Sequence, residues 1–158
     1  MEARSTFTEL AAARHSCRRF STQPVSEDTL QQLLHVASLA PASKGINSSS
    51  LIPVTDKEQI TRLSSCKERG CSFIKNVPLV IAVTADPALS DVWTENASIA
   101  ATYLLLEAQA LGLGACWVQI RERKDADGTD SEAIVHRLLA LSETTRILCL
   151  IAIGYSEN

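Results

Sequence analysis

The chain has 158 residues, of which 46% are apolar, and its 15 basic and 18 acidic residues give it a formal charge of −3 at pH 7. This length and apolar content support a hydrophobic core and exclude a disordered chain, while the dispersed charges exclude an electrostatic nucleic-acid binder or a polybasic membrane surface. Because no stretch has the roughly 20 apolar residues of a membrane span, and the N-terminus MEARSTFTEL has no apolar signal-peptide core, we expect one cytoplasmic domain over residues 1–158.

The first two predicted elements are helices. Residues 6–14 are rich in alanine and favour a short helix. The next stretch, SEDTLQQLLHVASLAP, begins with Ser26 as an N-cap and has two acidic residues in its first turn. Leucine and alanine then recur at helical spacing until Pro41 ends the pattern. The sequence therefore predicts a second helix between Ser26 and Pro41.

The middle of the chain predicts a strand, a helix and a second strand. Residues 51–55 form a short apolar run in which Pro53 favours an edge position in a sheet. Asp56 is placed to cap a helix over KEQITRLSSC. After a turn at Gly70, PLVIAVTAD is a continuous apolar run, which is typical of a strand covered on both faces.

The second half of the chain predicts two helices and two further strands. NASIAATYLLLEAQALG is apolar on nearly all sides and stops at Gly112. Such a helix is either the central helix of the domain or faces a second copy of the chain. GACWVQI and RILCLIAIGY predict buried strands, with a helix over SEAIVHRLLAL between them. This order of elements predicts an α+β (α/β layered) domain with helices on a small sheet.

The cysteines and histidines do not predict a metal site. The five cysteines are odd in number and scattered, and the only close pair, Cys66 and Cys71, lacks a CxxC or HxxxH partner motif. His15, His35 and His136 lie far apart in the sequence. We therefore expect reduced thiols rather than a disulfide framework or a metal centre.

Polar groups suited to an anion are concentrated in two loops. RHSCRRF, residues 14–20, carries three arginines, whose guanidinium groups suit phosphate oxygens, and Ser16 adds a hydroxyl. Ser43, Asn47 and Ser48–Ser50 supply neutral donors ahead of the first strand. The alternative for RHSCRRF is a solvated basic turn that caps the preceding helix. Spacing alone leaves both interpretations open.

The familiar nucleotide and hydrolase motifs are not present. In LGLGACW the two glycines follow a helix instead of preceding one, which is the wrong order for a dinucleotide-binding loop. The sequence also has no Walker loop and no GxSxG elbow. The glycines are therefore interpreted as a helix stop and a tight entry into the next strand.

Several segments, in order, resemble the nitroreductase family of flavoproteins. RHSCRRFSTQPVSEDTLQQLLHVASLAPASKGIN is similar to the family's opening, where a helix precedes an Arg-x-Ser-x-Arg/Lys segment, a Pro-Val step and a helix ending in an Ala-Pro-Ser turn before an Asn. KNVPLVIAVTAD, ENASIAATYLLLEAQALGLGACWV and the final LIAIGY resemble the family's later blocks. The resemblance extends from about residue 10 to about residue 155.

The resemblance implies a fold, a cofactor and a reaction. The implied fold is nitroreductase-like: a central small mixed sheet flanked by helices, in a homodimer that holds FMN at the subunit interface. NAD(P)H would be the co-substrate, and hydride would pass through flavin N5 to a small acceptor such as a nitroaromatic or a quinone. Because the flavin carries this chemistry, no catalytic side chain is predicted.

The resemblance also assigns three groups of cofactor-binding positions. The FMN phosphate and ribityl chain would be held by Arg14, His15, Ser16 and Arg18. The isoalloxazine would be lined from the partner subunit by Pro41, Ala42, Ser43 and Asn47. The other side of the ring would be approached by Gly114, Ala115, Cys116, Trp117 and Gln119.

Two departures from the family pattern leave alternatives. After Asn47 the family has a polar-Pro/Ser-Trp step, where this chain has Ser48-Ser49-Ser50-Leu51. The family's C-terminal arm, with a basic phosphate ligand, is expected to be missing after Tyr155. One alternative is therefore a degenerate dimer of this fold that binds little or no flavin and acts as a binding or structural protein. Another is a different flavin reaction on the same fold, such as dehalogenation or flavin fragmentation.

Overall fold

Five helices and four strands alternate along residues 6–157, the part of the chain that the computed structural model describes. The helices are α1 (Phe7–Ala13), α2 (Glu27–Ser38), α3 (Lys57–Leu63), α4 (Trp93–Ala110) and α5 (Ser131–Leu138). The strands are β1 (Ser49–Val54), β2 (Leu79–Ala85), β3 (Gly114–Gln119) and β4 (Arg146–Gly154), and short 3-10 turns cover Ser43–Gly45 and Ser72–Asn76. Every element that the sequence predicted is present, with slightly different bounds.

The helices begin where their capping residues predict. The Ser26 hydroxyl accepts a hydrogen bond from the Thr29 backbone N–H at the start of α2. The Asp56 carboxylate accepts one from the backbone N–H of Gln59 at 2.8 Å, at the start of α3. Each such cap stabilises a helix by about 1 kcal/mol, because it satisfies a backbone donor that has no partner within the helix. Both predicted caps are confirmed.

The four strands form one sheet in the order β1-β2-β4-β3. All three strand pairs are antiparallel, so the sheet is antiparallel and not mixed as predicted. Within residues 6–157 the one parallel pairing is an isolated bridge between Ser16 and Ala115. β1 and β3 are the edges, and Pro53 lies on the edge strand β1 as predicted, where its missing N–H costs no ladder hydrogen bond. β1 begins at Ser49, two residues before the predicted strand, because Ser49 and Ser50 pair with Ala85 and Thr84.

Helices cover both faces of the sheet. One face packs on α2 and α4 through alternate residues of β2 and β4, including Ile81, Val83 and Ile151. The other face packs on α3, α5 and the Ser72–Asn76 turn, through Val80 and Leu150 among others. Because both faces are covered, every residue of β2 is buried, which confirms the interpretation of its continuous apolar run.

α4 is the central helix. It packs against α2 and lies across the four strands, and its buried side chains are mostly small, with Ala97, Ala101 and Ala108 fully enclosed. Small side chains allow a helix axis to approach the sheet closely. The helix ends as predicted, with Gly112 at φ 74° just beyond it. No helix within residues 6–157 is long and apolar enough to cross a membrane.

α4 also has an apolar outer stripe that its own chain leaves partly uncovered. Ile99 is 37% exposed, and Tyr103 and Leu106 are only half-buried. These three side chains lie at i, i+4 and i+7, which places them on one face of the helix. Of the two alternatives for this helix, the central position in the domain is confirmed by its packing on α2 and the sheet. Its outer face remains available to a second copy of the chain.

Candidate functional site

The Arg14–Arg18 segment lies against the edge strand β3. The Cys17 backbone N–H donates to the Ala115 carbonyl at 2.9 Å, next to the bridge between Ser16 and Ala115. The approach requires a glycine at position 114, because a Cβ there would lie 2.7 Å from the Cys17 sulfur and 2.8 Å from its Cβ. The fold thereby brings two of the three predicted groups of cofactor-binding residues together.

The polar side chains of this segment are open to solvent. His15, Ser16 and Arg18 are exposed and Arg14 is half-buried, and neither arginine forms an ion pair with any carboxylate of residues 6–157. Only the His15 ring contacts a carbonyl of the α1 C-terminus, that of Ala13 at 3.1 Å. The helix-capping interpretation of RHSCRRF therefore applies to the histidine, while the guanidinium groups are left available for a ligand.

Cys116 lies behind these residues on β3. Burial raises the pKa of the Cys116 thiol, while the positive charge of Arg18 and a hydrogen bond with Ser16 act in the opposite direction. The thiol is buried and stays protonated near neutral pH, so it is a packing residue behind the segment and not a nucleophile.

Trp117 and Gln119 form a short hydrogen-bond relay on the other face of β3. The Trp117 indole Nε1–H donates to Gln119 Oε1 at 2.9 Å. The Gln119 Nε2–H in turn donates to the Arg121 carbonyl at 3.0 Å. The relay fixes the orientation of the half-buried Trp117, whose ring packs against the α2 and α4 core. Gln119 is thus already engaged in holding the tryptophan.

The loop before β1, residues 41–48, is fixed by a buried asparagine on α4. Asn96 Oδ1 accepts a hydrogen bond from the Ser43 N–H at 3.0 Å. Its Nδ2 donates to the hydroxyls of Ser48 at 3.3 Å and Ser90 at 3.2 Å. Asn96 is only 5% exposed and Ser48 only 3% exposed, so the bond between these two side chains lies away from water, where leaving it unmade is costly.

Within this loop the predicted ring-lining residues lie on the surface. Pro41, Ser43 and Asn47 are exposed, and Ala42 is half-buried. Asn47 Oδ1 accepts from the Ser49 backbone N–H at 3.1 Å, which leaves its Nδ2 donors directed away from that bond. Lys44, at φ 57°, adopts a left-handed conformation that is uncommon for a residue with a Cβ. Strained backbone of this kind recurs in loops that bind ligands.

The serine triplet opens strand β1 and leaves one hydroxyl without a partner. Ser48 O accepts from the Asp86 N–H at 2.9 Å, and Ser50 O accepts from the Thr84 hydroxyl at 2.9 Å. The Ser49 Oγ is buried and has no hydrogen-bond partner among residues 6–157. It borders a cavity of about 170 Å³ that Asn47 and Leu51 also line. A buried hydroxyl of this kind needs a partner, and no group of residues 6–157 supplies one.

The two parts of the predicted site lie at diagonal corners of one sheet. Residues 41–48 precede β1 at the end where Ser49 pairs with Ala85. The Arg14–Arg18 segment meets β3 at the opposite end, where Gly114 pairs with Gly154. β1 and β3 are also the two outer strands, separated by three strand spacings of roughly 4.8 Å each. A single copy of the chain therefore does not bring residues 41–47 and residues 14–18 together.

The sequence interpretation missed Asn96 and Ser90. Asn96 lies 53 and 48 positions from Ser43 and Ser48, the loop residues that it holds, and Ser90 accepts from the same amide, so no local spacing pointed to them. A signal was present nonetheless, since an asparagine in the first turns of an otherwise apolar helix requires a buried partner. All five cysteines are free, and residues 6–157 contain no cluster of three metal-ligating side chains.

Known proteins that are similar to this chain share one family. Residues 11–66 and 64–155 match the profile of the nitroreductase family. A protein of Archaeoglobus fulgidus, provisionally named NADH dehydrogenase/NAD(P)H nitroreductase, is 28% identical over 149 residues, which are 92% of this chain and 82% of that protein.

Solved structures give the same result. The FMN-dependent nitroreductase of Clostridium difficile R20291 superimposes with a TM-score of 0.91 at 39% identity, covering 94% of this chain and 87% of that one. A nitroreductase family protein of Clostridium difficile 630 superimposes with a TM-score of 0.80 at 26% identity, covering 98% and 86% of the two chains.

Proposed function

The chain belongs to the nitroreductase family of oxidoreductases, and we propose that it is an FMN-dependent enzyme that passes hydride from NAD(P)H to a small acceptor such as a nitroaromatic or a quinone. The observation that carries the proposal concerns Arg14 and Arg18, beside Ser16 at the edge of β3: neither has a carboxylate partner among residues 6–157. The 39% identity to an FMN-dependent nitroreductase supports the choice of cofactor.

The donor set fits the phosphate end of FMN. Arg14 and Arg18 have no carboxylate partner among residues 6–157, and two guanidinium groups with a serine hydroxyl match the acceptor oxygens of a phosphate. The segment is pinned to β3 through the Cys17 N–H, so its side chains project from a fixed backbone. Because this backbone is already ordered, binding does not have to order it, which favours affinity.

The loop at residues 41–48 supplies the chemistry for the ring end. Its exposed Asn47 amide suits the carbonyl oxygens and ring nitrogens of an isoalloxazine. When bound, FMN supplies the hydride chemistry that links NAD(P)H to the acceptor. The residues of this chain would bind and orient the flavin and exclude water from it, and no side chain here is assigned a proton-transfer role.

A homodimer would complete the site. Because residues 14–18 and residues 41–47 lie at diagonal corners of one sheet, we propose that one flavin contacts the first group in one copy and the second group in its partner. The outer stripe of α4, formed by Ile99, Tyr103 and Leu106, is the proposed contact between the copies. Burying a large apolar side chain stabilises by about 1.5–3 kcal/mol, so such a stripe favours association.

The first test is a flavin titration of the full chain. Arg14→Ala/Arg18→Ala removes two charge-assisted contacts of about 1.5–3 kcal/mol each, and FMN affinity is expected to fall at least about tenfold. The matched control, Arg69→Ala/Arg123→Ala, removes two exposed arginines outside the site and is expected to bind FMN as the wild type does. Oxidation of NADH and NADPH is then followed with a nitroaromatic and with a quinone.

The outcomes separate the proposal from its alternative. Flavin absorption in the purified protein, together with acceptor-dependent oxidation of a nicotinamide, supports the enzyme. Absence of FMN binding at micromolar concentration would overturn it in favour of a flavin-free dimer of the same fold. Equal FMN affinity in the double variant and the control would show that Arg14 and Arg18 do not bind the FMN phosphate.

A further inference from the structure

A cleft at one end of the sheet is rich in positive charge. It has a volume of about 490 Å³ and lies where β1 ends and β2 begins, beside the segment that follows Arg18. Its lining includes four cationic side chains, Arg18, Arg19, Lys57 and Lys75. They come from three separate parts of the chain, so the fold and not local sequence concentrates them here.

These cations lack the partners that usually neutralise such a cluster. None of the four forms an ion pair with a carboxylate of residues 6–157, and Glu157 is the only acidic side chain in the lining. Four positive groups against one negative group is a local excess on a chain whose overall formal charge is −3. Like charges gathered in a concave surface focus the electrostatic potential and attract anions.

The base of the cleft is apolar and well ordered by packing. Phe20 and Val77 are each 5% exposed and Ile60 is 2% exposed, and Pro78 lies beside them. The Phe20 ring stacks on Phe73 with ring centroids 6.3 Å apart, which fixes its orientation. A cleft with an apolar base and a cationic rim suits a ligand with a flat ring at one end and anionic groups at the other.

We propose that this cleft binds a small molecule in which a diphosphate is joined to a flat aromatic ring, as in a nucleoside diphosphate. The cationic rim would hold the diphosphate, and Phe20 with its apolar neighbours would contact the ring. The site goes beyond the proposed function and does not rest on it. Arg19, Lys57 and Lys75 are not among the residues assigned to FMN, and Arg18 is the single residue shared by the two sites.

The test is calorimetric titration of the full chain at low ionic strength with ADP, with pyrophosphate and with adenosine. Lys57→Ala/Lys75→Ala is expected to weaken ADP binding at least about tenfold, the factor given by about 1.4 kcal/mol. The charge-matched control, Arg69→Ala/Lys124→Ala, removes two exposed cations outside the cleft and is expected to bind ADP like the wild type. ADP is expected to bind more tightly than pyrophosphate, and adenosine least tightly, because only ADP engages both base and rim.

The same titrations are run with and without saturating FMN, so that this site and the flavin site are tested separately. ADP binding that persists in both conditions, with FMN affinity unchanged in Lys57→Ala/Lys75→Ala, supports a separate site whether or not the flavin proposal holds. Loss of ADP binding when FMN is present would assign the cleft to the flavin site and overturn the proposal. Absence of ADP binding by the wild type, or equal weakening in the control, would also overturn it. Equal affinity for ADP and pyrophosphate would show that the cleft does not bind the ring, and would overturn the proposal as well.

Discussion

Asn96 on α4 donates a hydrogen bond to the Ser48 hydroxyl at 3.3 Å, and both residues are buried. The same side chain accepts from the Ser43 N–H at 3.0 Å, so one amide holds both ends of the loop that precedes β1. Ser43 and Ser48 lie 53 and 48 positions from Asn96 in the sequence. The position of this loop therefore depends on the packing of α4 and not on the loop sequence.

Replacing Asn96 is expected to loosen the loop and to weaken flavin binding. Asn96→Ala leaves the Ser43 N–H and two serine hydroxyls without their partner, and each buried group left unsatisfied costs about 1–3 kcal/mol. We expect a lower midpoint of thermal unfolding and a larger dissociation constant for FMN, measured on the same preparation. Thr102→Ala, which removes an exposed hydroxyl from the same helix, is the control and is expected to change neither. If Asn96→Ala were as stable as the wild type, water would be replacing the hydrogen bonds of the Asn96 amide, which would contradict the prediction.

Gly114→Ala is expected to destabilise the protein through a clash with Cys17. The added Cβ would lie 2.7 Å from the Cys17 sulfur and 2.8 Å from its Cβ, so the Arg14–Arg18 segment has to move away from β3. Overpacking of this kind costs about 1–3 kcal/mol, and urea unfolding measures it. Cys17→Gly removes both clashing atoms, so the double variant is expected to lose less stability than the two single changes combined. Simple additivity of the two effects would contradict the clash.

Stability is expected to fall at alkaline pH because of buried thiols. Burial raises the pKa of Cys149 well above its usual value. The unfolded chain therefore loses the Cys149 proton above about pH 8.5, while the folded chain keeps it. This favours unfolding by about 1.4 kcal/mol for each further pH unit. The contribution of Cys149 to the free energy of unfolding is thus fully present below that pH and is lost as the pH rises above it.

The measurement is urea unfolding of wild type and Cys149→Ala from about pH 8 to about pH 10. The variant is expected to have a lower stability at the start, because of the cavity, and a shallower decline. The difference in slope isolates Cys149 from lysines and tyrosines that titrate in the same range. Parallel pH profiles for wild type and Cys149→Ala would show that the Cys149 thiol does not cause the loss of stability at alkaline pH.

A charge on the outer stripe of α4 is expected to separate the copies of the chain. Leu106→Glu places a carboxylate between Tyr103 and Ala110, and sedimentation velocity is expected to change from dimer to monomer with an unaltered far-ultraviolet circular dichroism spectrum. Because the flavin site is proposed to need both copies, FMN affinity is expected to fall when the dimer dissociates. Ala126→Glu adds the same charge to an exposed loop residue and is expected to leave the dimer intact. A dimeric, flavin-binding Leu106→Glu protein would place the interface elsewhere.

The sequence by itself determined the elements and the family. Ser26 and Asp56 predicted the starts of α2 and α3 because an N-cap acts within a single turn. The continuous apolar run of PLVIAVTAD predicted a strand buried on both faces, because a strand with one face in water would alternate apolar and polar residues. The ordered motifs around RHSCRRF and GACWV indicated a nitroreductase, since each occupies a short contiguous stretch of the chain.

Only the tertiary structure decided how these parts are placed. The antiparallel order β1-β2-β4-β3 and the inclusion of Ser49 and Ser50 in β1 depend on pairing with Ala85 and Thr84, and register between distant strands has no local signal. The same applies to Asn96, which meets its loop across about 50 residues. The diagonal placement of the two parts of the site also follows from strand order, because a strand's position in the sheet is set by long-range packing and not by its own residues.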